Sequence, residues 1–148
     1  MLLHRGFMKT KILVLLLITS AFFLIGCACT SCNTQDPARQ QINAVRKMSF
    51  ESNRKTAYLS IAQRPDLSDT AQVQLVKAVF DTLEFDDSKK MVLLALIENP
   101  SFSENAETAI LKRLNGVSFD NTKANILMAI DAVHTLRNIE STEPVTTK

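Results

Sequence analysis

The motif SFESNRK at residues 49–55 decides the fold, because it recurs 35 residues later as EFDDSKK at residues 84–90 and again as SFDNTK at residues 118–123. Each copy keeps the order phenylalanine, acidic residue, two polar residues, basic residue. A fixed period of this length is typical of repeat architectures, in which each small unit stacks on its neighbours. The sequence therefore predicts a repetitive domain.

Each repeat has the pattern of a helix, a turn and a second helix. Apolar residues follow the spacing of a helix face at positions 57, 58, 61 and 62, and again at 92, 93, 96 and 97. Pro65 and Pro100 then end the first helix, because proline disfavours helical geometry in the residue before it. Ser68 and Ser103 are placed to cap the second helix. The unit is therefore predicted to be a helical hairpin.

The pattern predicts an all-α domain in which about six helices form stacked antiparallel hairpins. Asp36-Pro37 opens the first helix, with proline at its first position. The scarcity of glycine and the lack of tryptophan argue against a sheet protein. We expect helices near 37–48, 51–63, 69–82, 87–98, 104–115 and 121–139.

This arrangement resembles the HEAT-like class of helical repeats over roughly residues 37–139, through its period, its turn prolines and its apolar spacing. The resemblance implies antiparallel helix pairs stacked into an array. A compact helical bundle that arose by duplication is the alternative.

The junction between repeats carries two further expectations. The acidic residues Asp86 and Asp120 are predicted to be helix N-caps. The phenylalanines before the acidic residues, Phe50, Phe85 and Phe119, are predicted to pack between consecutive hairpins.

A separate segment precedes the repeats. The tetrapeptide Leu24-Ile25-Gly26-Cys27 closes an apolar run that begins at Ile12 and follows three basic residues. Basic residues, a short apolar run and small residues before a cleavage point are typical of a secretory signal peptide. The run is shorter than the roughly 20 residues that a membrane-spanning helix needs.

The leader resembles the signal sequence of bacterial lipoproteins. That resemblance implies cleavage after Gly26, diacylglycerol on the Cys27 sulfur and acylation of the new amino terminus. Together with the predicted helices, it divides the chain into a signal peptide (1–26), a tether (27–35), the helical-repeat domain (36–139) and a flexible tail (140–148). An ordinary secreted protein with a chance cysteine at this place is the alternative.

The implied location is the bacterial cell envelope, with the protein held on a membrane by lipid on Cys27. In enteric bacteria, an aspartate directly after the lipidated cysteine resembles an inner-membrane retention signal. This chain has Ala28 at that position. Its presence favours the outer membrane, facing the periplasm, if the organism has one.

Cys29 and Cys32 form a C-x-x-C pair in the predicted tether. In an exported protein such a pair can close a small disulfide, and two incidental thiols are the other simple interpretation. A redox or metal site is the less favoured alternative, because such sites are normally built into a packed fold.

Loss of the leader changes the net charge of the chain. Removing Arg5, Lys9 and Lys11 leaves 14 basic residues against 15 acidic ones, a net charge of about −1. A nucleic-acid partner, which favours a net basic domain, is therefore not predicted.

Basic residues also recur at one position of every repeat, so stacking could align them as a ridge able to contact anionic lipid or an acidic partner. The alternative is a solvated, salt-bridged edge. The predicted ridge comprises Arg54, Lys55, Lys89, Lys90 and Lys123.

No catalytic, cofactor or metal site is predicted. His134 is the one histidine that remains after the leader and is predicted to be a surface residue, while the Asp86-Asp87 pair is explained by helix capping. We therefore predict a non-enzymatic lipoprotein that acts as a protein-binding or scaffold module for another envelope protein. The alternative is an accessory or regulatory subunit of an envelope enzyme.

Overall fold

The computed structural model describes residues 36–142, with side chains from 36 to 139, and is all-helical over that range. The predicted all-α fold of about six helices is therefore confirmed. The helices are α1 (Pro37–Val45), α2 (Glu51–Ala62), α3 (Asp69–Thr82), α4 (Asp86–Ile97), α5 (Glu104–Arg113) and α6 (Asp120–Thr142), with a short 3₁₀ turn at Leu114–Gly116 between α5 and α6.

The helices form two layers. Helices α1, α3 and α5 pack side by side in the first layer, and α2, α4 and α6 pack side by side in the second. Within the first layer, Arg39 Nε donates to Gln74 Oε1 at 2.8 Å and Arg46 Nη2 to Asp81 Oδ2 at 3.1 Å, each pair 35 residues apart. Neighbours in this layer therefore run parallel and one repeat apart, as in a stacked array.

The predicted serine caps are present. The side-chain oxygens of Ser68 and Ser103 accept hydrogen bonds from the backbone N–H three residues on, at 3.3 and 3.2 Å. These bonds satisfy N–H groups that a helix start leaves without partners. The turns that contain Pro65 and Pro100 separate the two helices of each hairpin, as the sequence predicts.

The hydrophobic core is built from residues of all six helices. Its apolar side chains recur at the positions that the repeat alignment predicts, and their removal from water drives the stacking. Members that are essentially fully buried include Ile42, Tyr58, Leu75, Val76, Val79, Val92, Leu93, Leu96, Ile97, Ile110 and Ile126.

A carboxylate joins each repeat to the next. Glu51, at the start of α2, accepts hydrogen bonds from the backbone N–H groups of Glu84 and Phe85, both at 3.1 Å. The three residues therefore tie the first turn of one repeat to the entry of the following repeat. We call this arrangement the junction clamp: a carboxylate that begins one repeat and two N–H groups that begin the next.

The second junction clamp is more buried. Asp86 Oδ2 accepts hydrogen bonds from the N–H groups of Ser118 and Phe119 at 2.6 and 2.9 Å. Lys89 Nζ lies 3.3 Å from Asp86 Oδ1 and donates to the Gly116 carbonyl at 3.1 Å. Asp86 and Lys89 are only 6 % and 7 % exposed. This ion pair therefore binds both N–H and carbonyl groups of the next junction.

The prediction that Asp86 and Asp120 are N-caps is wrong. Phe85 occupies the N-cap position of α4, and Asp86 is its first helical residue. Its carboxylate does not cap its own helix because it binds the next junction. Asp120 likewise begins α6, but its side chain is 97 % exposed and pairs with Lys123 at 3.2 Å.

The hydrogen bonds of the clamp lower the pKa of Asp86. Burial alone would raise this pKa, but the N–H groups of Phe119 and Ser118, together with Lys89, outweigh burial and hold the pKa below its ordinary value of 3.8. A carboxyl whose pKa is lowered by folding stabilises the folded state above its unfolded pKa, and the stabilisation disappears as the pH falls through the folded pKa.

Replacing Asp86 by Asn should lower the free energy of unfolding by on the order of 2 kcal/mol at neutral pH, because the charge-assisted bonds are lost. Asp120→Asn is the matched control and should cost little, since that carboxylate is exposed. Urea denaturation followed by circular dichroism measures both. The difference in the free energy of unfolding between the Asp86 variant and the parent should become smaller only below pH 3.8. Equal effects of the two substitutions would contradict the clamp.

Candidate protein-binding surface

Phenylalanine side chains recur on the surface of the array. Phe50, Phe85 and Phe119 are 70 %, 67 % and 66 % exposed. The prediction that they pack between consecutive hairpins is therefore wrong. Phe50 and Phe85 are N-cap residues with extended backbone, at φ −99° and −81°. What lies between consecutive repeats is the carboxylate of the junction clamp, and the rings remain in solvent.

The three rings lie in register. Each precedes the first residue of a helix in the second layer, and the helices of that layer pack on one another. Packed helices are about 8 to 10 Å apart, so the rings should recur at about that interval. We call Phe50, Phe85 and Phe119 the phenylalanine edge. Exposed large apolar side chains that lie together on a surface are typical of interaction sites.

A shallow groove extends the edge at its first repeat. It has a volume of about 580 Å³ and is lined by Met48, Phe50, Asn53, Thr56 and Ala57, with two serines. Met48, just beyond the end of α1, is 40 % exposed. The apolar surface near Phe50 is therefore broader than a single ring.

The predicted basic ridge is wrong for Lys89, which is buried under the second junction. Arg54, at the equivalent position of the first repeat, turns back to its own linker, where its Nη1 donates to the Met48 carbonyl at 2.7 Å. Its Nε is buried and has no hydrogen-bond partner among the described residues. These two cations therefore stabilise junctions and are not arranged to meet a partner.

The remaining predicted ridge cations are mostly neutralised. Lys90 pairs with Asp87 at 2.7 Å and Lys123 with Asp120 at 3.2 Å. Lys55 is half-buried and forms no ion pair with any residue that the structure describes. The spacing of these pairs, three residues along one helix, agrees with the salt-bridged alternative.

His134 has a partner that the sequence did not reveal. Its Nε2 lies 3.0 Å from a carboxylate oxygen of Glu107, so the pair links α6 to α5. The His134 side chain is about half exposed, as expected for a surface histidine.

Cys27, Cys29 and Cys32 lie outside the described residues, and so does the leader. Between residues 36 and 139, no three histidine, cysteine, aspartate or glutamate side chains are grouped so that they could hold a metal ion. In the same part of the chain no helix has the length and apolar character required to span a membrane.

No protein-family model, curated protein or solved structure matches this chain.

The exposure of Phe85 predicts a small effect on stability. Phe85→Ala should change the free energy of unfolding by no more than about 0.5 kcal/mol, as for other surface substitutions. Leu93→Ala, in the buried face of the same helix, should cost about 2 to 5 kcal/mol. Urea denaturation compares them. A Phe85 variant as unstable as the Leu93 variant would show that the ring is packed in the core.

Proposed function

We propose that this chain is a lipid-anchored lipoprotein of the bacterial cell envelope that acts as a non-enzymatic protein-binding or scaffold module. The observation that carries the binding function is the phenylalanine edge, three rings held in solvent at equivalent positions of successive repeats. The lipid anchor rests on the sequence at Leu24-Ile25-Gly26-Cys27.

Exposed aromatic rings on a rigid backbone are suited to binding another protein. Aromatic side chains are enriched in the centres of protein interfaces, where their burial supplies much of the binding free energy. Here the backbone N–H groups of Phe85 and Phe119 are bound by the junction clamps. The rings therefore project from fixed points of the main chain, which lowers the entropy lost when a partner covers them.

The anchor would restrict where that partner can be. Two or more acyl chains hold a protein stably on a membrane, so a chain lipidated on Cys27 would meet its partner at the membrane surface. An envelope protein is therefore the partner that this proposal favours. If the partner is an enzyme, the chain would serve as its accessory or regulatory subunit.

Replacing Cys27 by Ser should abolish incorporation of a labelled fatty acid, because the acceptor sulfur is lost. Cys29→Ser is the matched control, two residues away, and should retain the label. Metabolic labelling of cells that express each chain, followed by immunoprecipitation, gives the result. Label retained in the Cys27 variant, or lost equally from both, would contradict the anchor.

Photocrosslinking tests the binding surface. With p-benzoylphenylalanine in place of Phe85, irradiation of intact cells should give one discrete adduct. The same probe at Leu136 should give far less, although Leu136 is comparably exposed, at 61 %. The adduct at position 85 should disappear when Phe50→Ser and Phe119→Ser are added, because the partner loses two of its three anchoring rings.

Two results would contradict this function. Equal crosslinking at positions 85 and 136 would mean that the rings are not a specific surface. An adduct that survives removal of the other two rings would mean that the row does not act as one surface.

A further inference from the structure

A second concave surface lies on the first layer, away from the phenylalanine edge. It is a groove of about 690 Å³ lined by residues of α1, α3 and α5. Four of its lining residues are cations, Arg39, Lys77, Lys112 and Arg113, whereas Asp69 is the one carboxylate that lines it in the described part of the chain. The groove therefore has a positive charge that the nearly neutral domain as a whole lacks.

Some of these charges are satisfied within the fold. Arg113 Nη1 binds Asp81 Oδ1 at 2.6 Å, and Asp69 Oδ2 accepts a hydrogen bond from Asn105 at 2.8 Å. Lys77 and Lys112 are exposed, and neither forms an ion pair with any side chain between residues 36 and 139. Two lysines therefore line the groove without an ion pair in this part of the chain.

The repeat sets the spacing of the cations. Lys112 stands 35 residues after Lys77, at the equivalent position of the next helix in the layer, and Arg39 lies on the preceding helix. Parallel neighbours are about 10 Å apart, so the three cations span about 20 Å across the layer. An extended chain rises about 3.3 Å per residue, so about six residues of such a chain match this length.

We propose that this groove binds an acidic, extended segment of a partner polypeptide that crosses α1, α3 and α5. Carboxylates of the segment would pair with Lys77, Lys112 and Arg39, and its backbone would lie over Val73 and Ala109, which also line the groove. A recessed groove favours a narrow polypeptide over a lipid bilayer, whose flat anionic surface requires cations that project from the protein. Complementary charge of this kind governs specificity and association rate more than total affinity.

The test uses the full chain and a fluorescein-labelled peptide of alternating glutamate and serine, with binding followed by fluorescence anisotropy. The parent should bind at low salt and lose affinity as salt is added. Lys77→Glu combined with Lys112→Glu should weaken binding by about tenfold or more. Lys47→Glu combined with Lys55→Glu is the matched control, with the same change in net charge outside the groove, and should bind as the parent does.

Three comparisons complete the test. A peptide of alternating lysine and serine should not bind. A variant with serine in place of Phe50, Phe85 and Phe119 should bind the acidic peptide as the parent does, which distinguishes this groove from the proposed scaffold surface. Equal weakening by the groove and control variants would overturn the groove. The proposal also fails if the parent does not bind the acidic peptide. Binding of phosphatidylglycerol vesicles that depends on Lys77 and Lys112 would then show that the site serves lipid.

Discussion

The domain depends on the hydrogen bonds that the entering N–H groups of one repeat donate to the first carboxylate of the preceding repeat. Glu51 and Asp86 each accept hydrogen bonds from two such groups. These bonds fix the register of successive helices of the second layer. At the part-buried second clamp an N–H group left without a partner is costly, so Asp86 cannot be exchanged freely for an apolar residue. The acidic residue of the repeated motif is thus explained by its contact with the following repeat.

The opposite edge of the array is tied by buried amides. Asn99 Nδ2 donates to the carbonyls of Ala62 and Arg64 at 2.7 and 2.8 Å, and Gln72 Nε2 donates to that of Ser101 at 2.7 Å. Both edges are therefore held by side chains that bind the backbone of a neighbouring repeat. Such bonds use the polar atoms of the junctions and leave the rings of the junction phenylalanines in solvent. The same repetition that stabilises the stack thereby produces a regular apolar row, which is the basis of the proposed binding function.

The sequence was sufficient to predict the helices and their stacking, because the period, Pro65, Pro100 and the capping serines are local signals. It was not sufficient to place the phenylalanines, because a phenylalanine at a junction can pack inward or outward without changing the pattern. Lys89 shows the same limit: its spacing from Asp86 is the same for an exposed ion pair and for one buried under the next junction. The groove around Lys77 and Lys112 was not predicted, because residues of three helices line it. The recurrence of the two lysines in the sequence was a signal that could have indicated it.

Amide hydrogen exchange by NMR tests the central claim, that each carboxylate holds the entry of the next repeat. In the parent, the Phe85 and Phe119 amides should both be protected. Glu51→Ala should release protection at Phe85 alone, and Asp86→Ala should release it at Phe119 beyond any general loss of stability. Rapid exchange of both amides in the parent, or an equal change at the two amides in each variant, would contradict this role of the carboxylates.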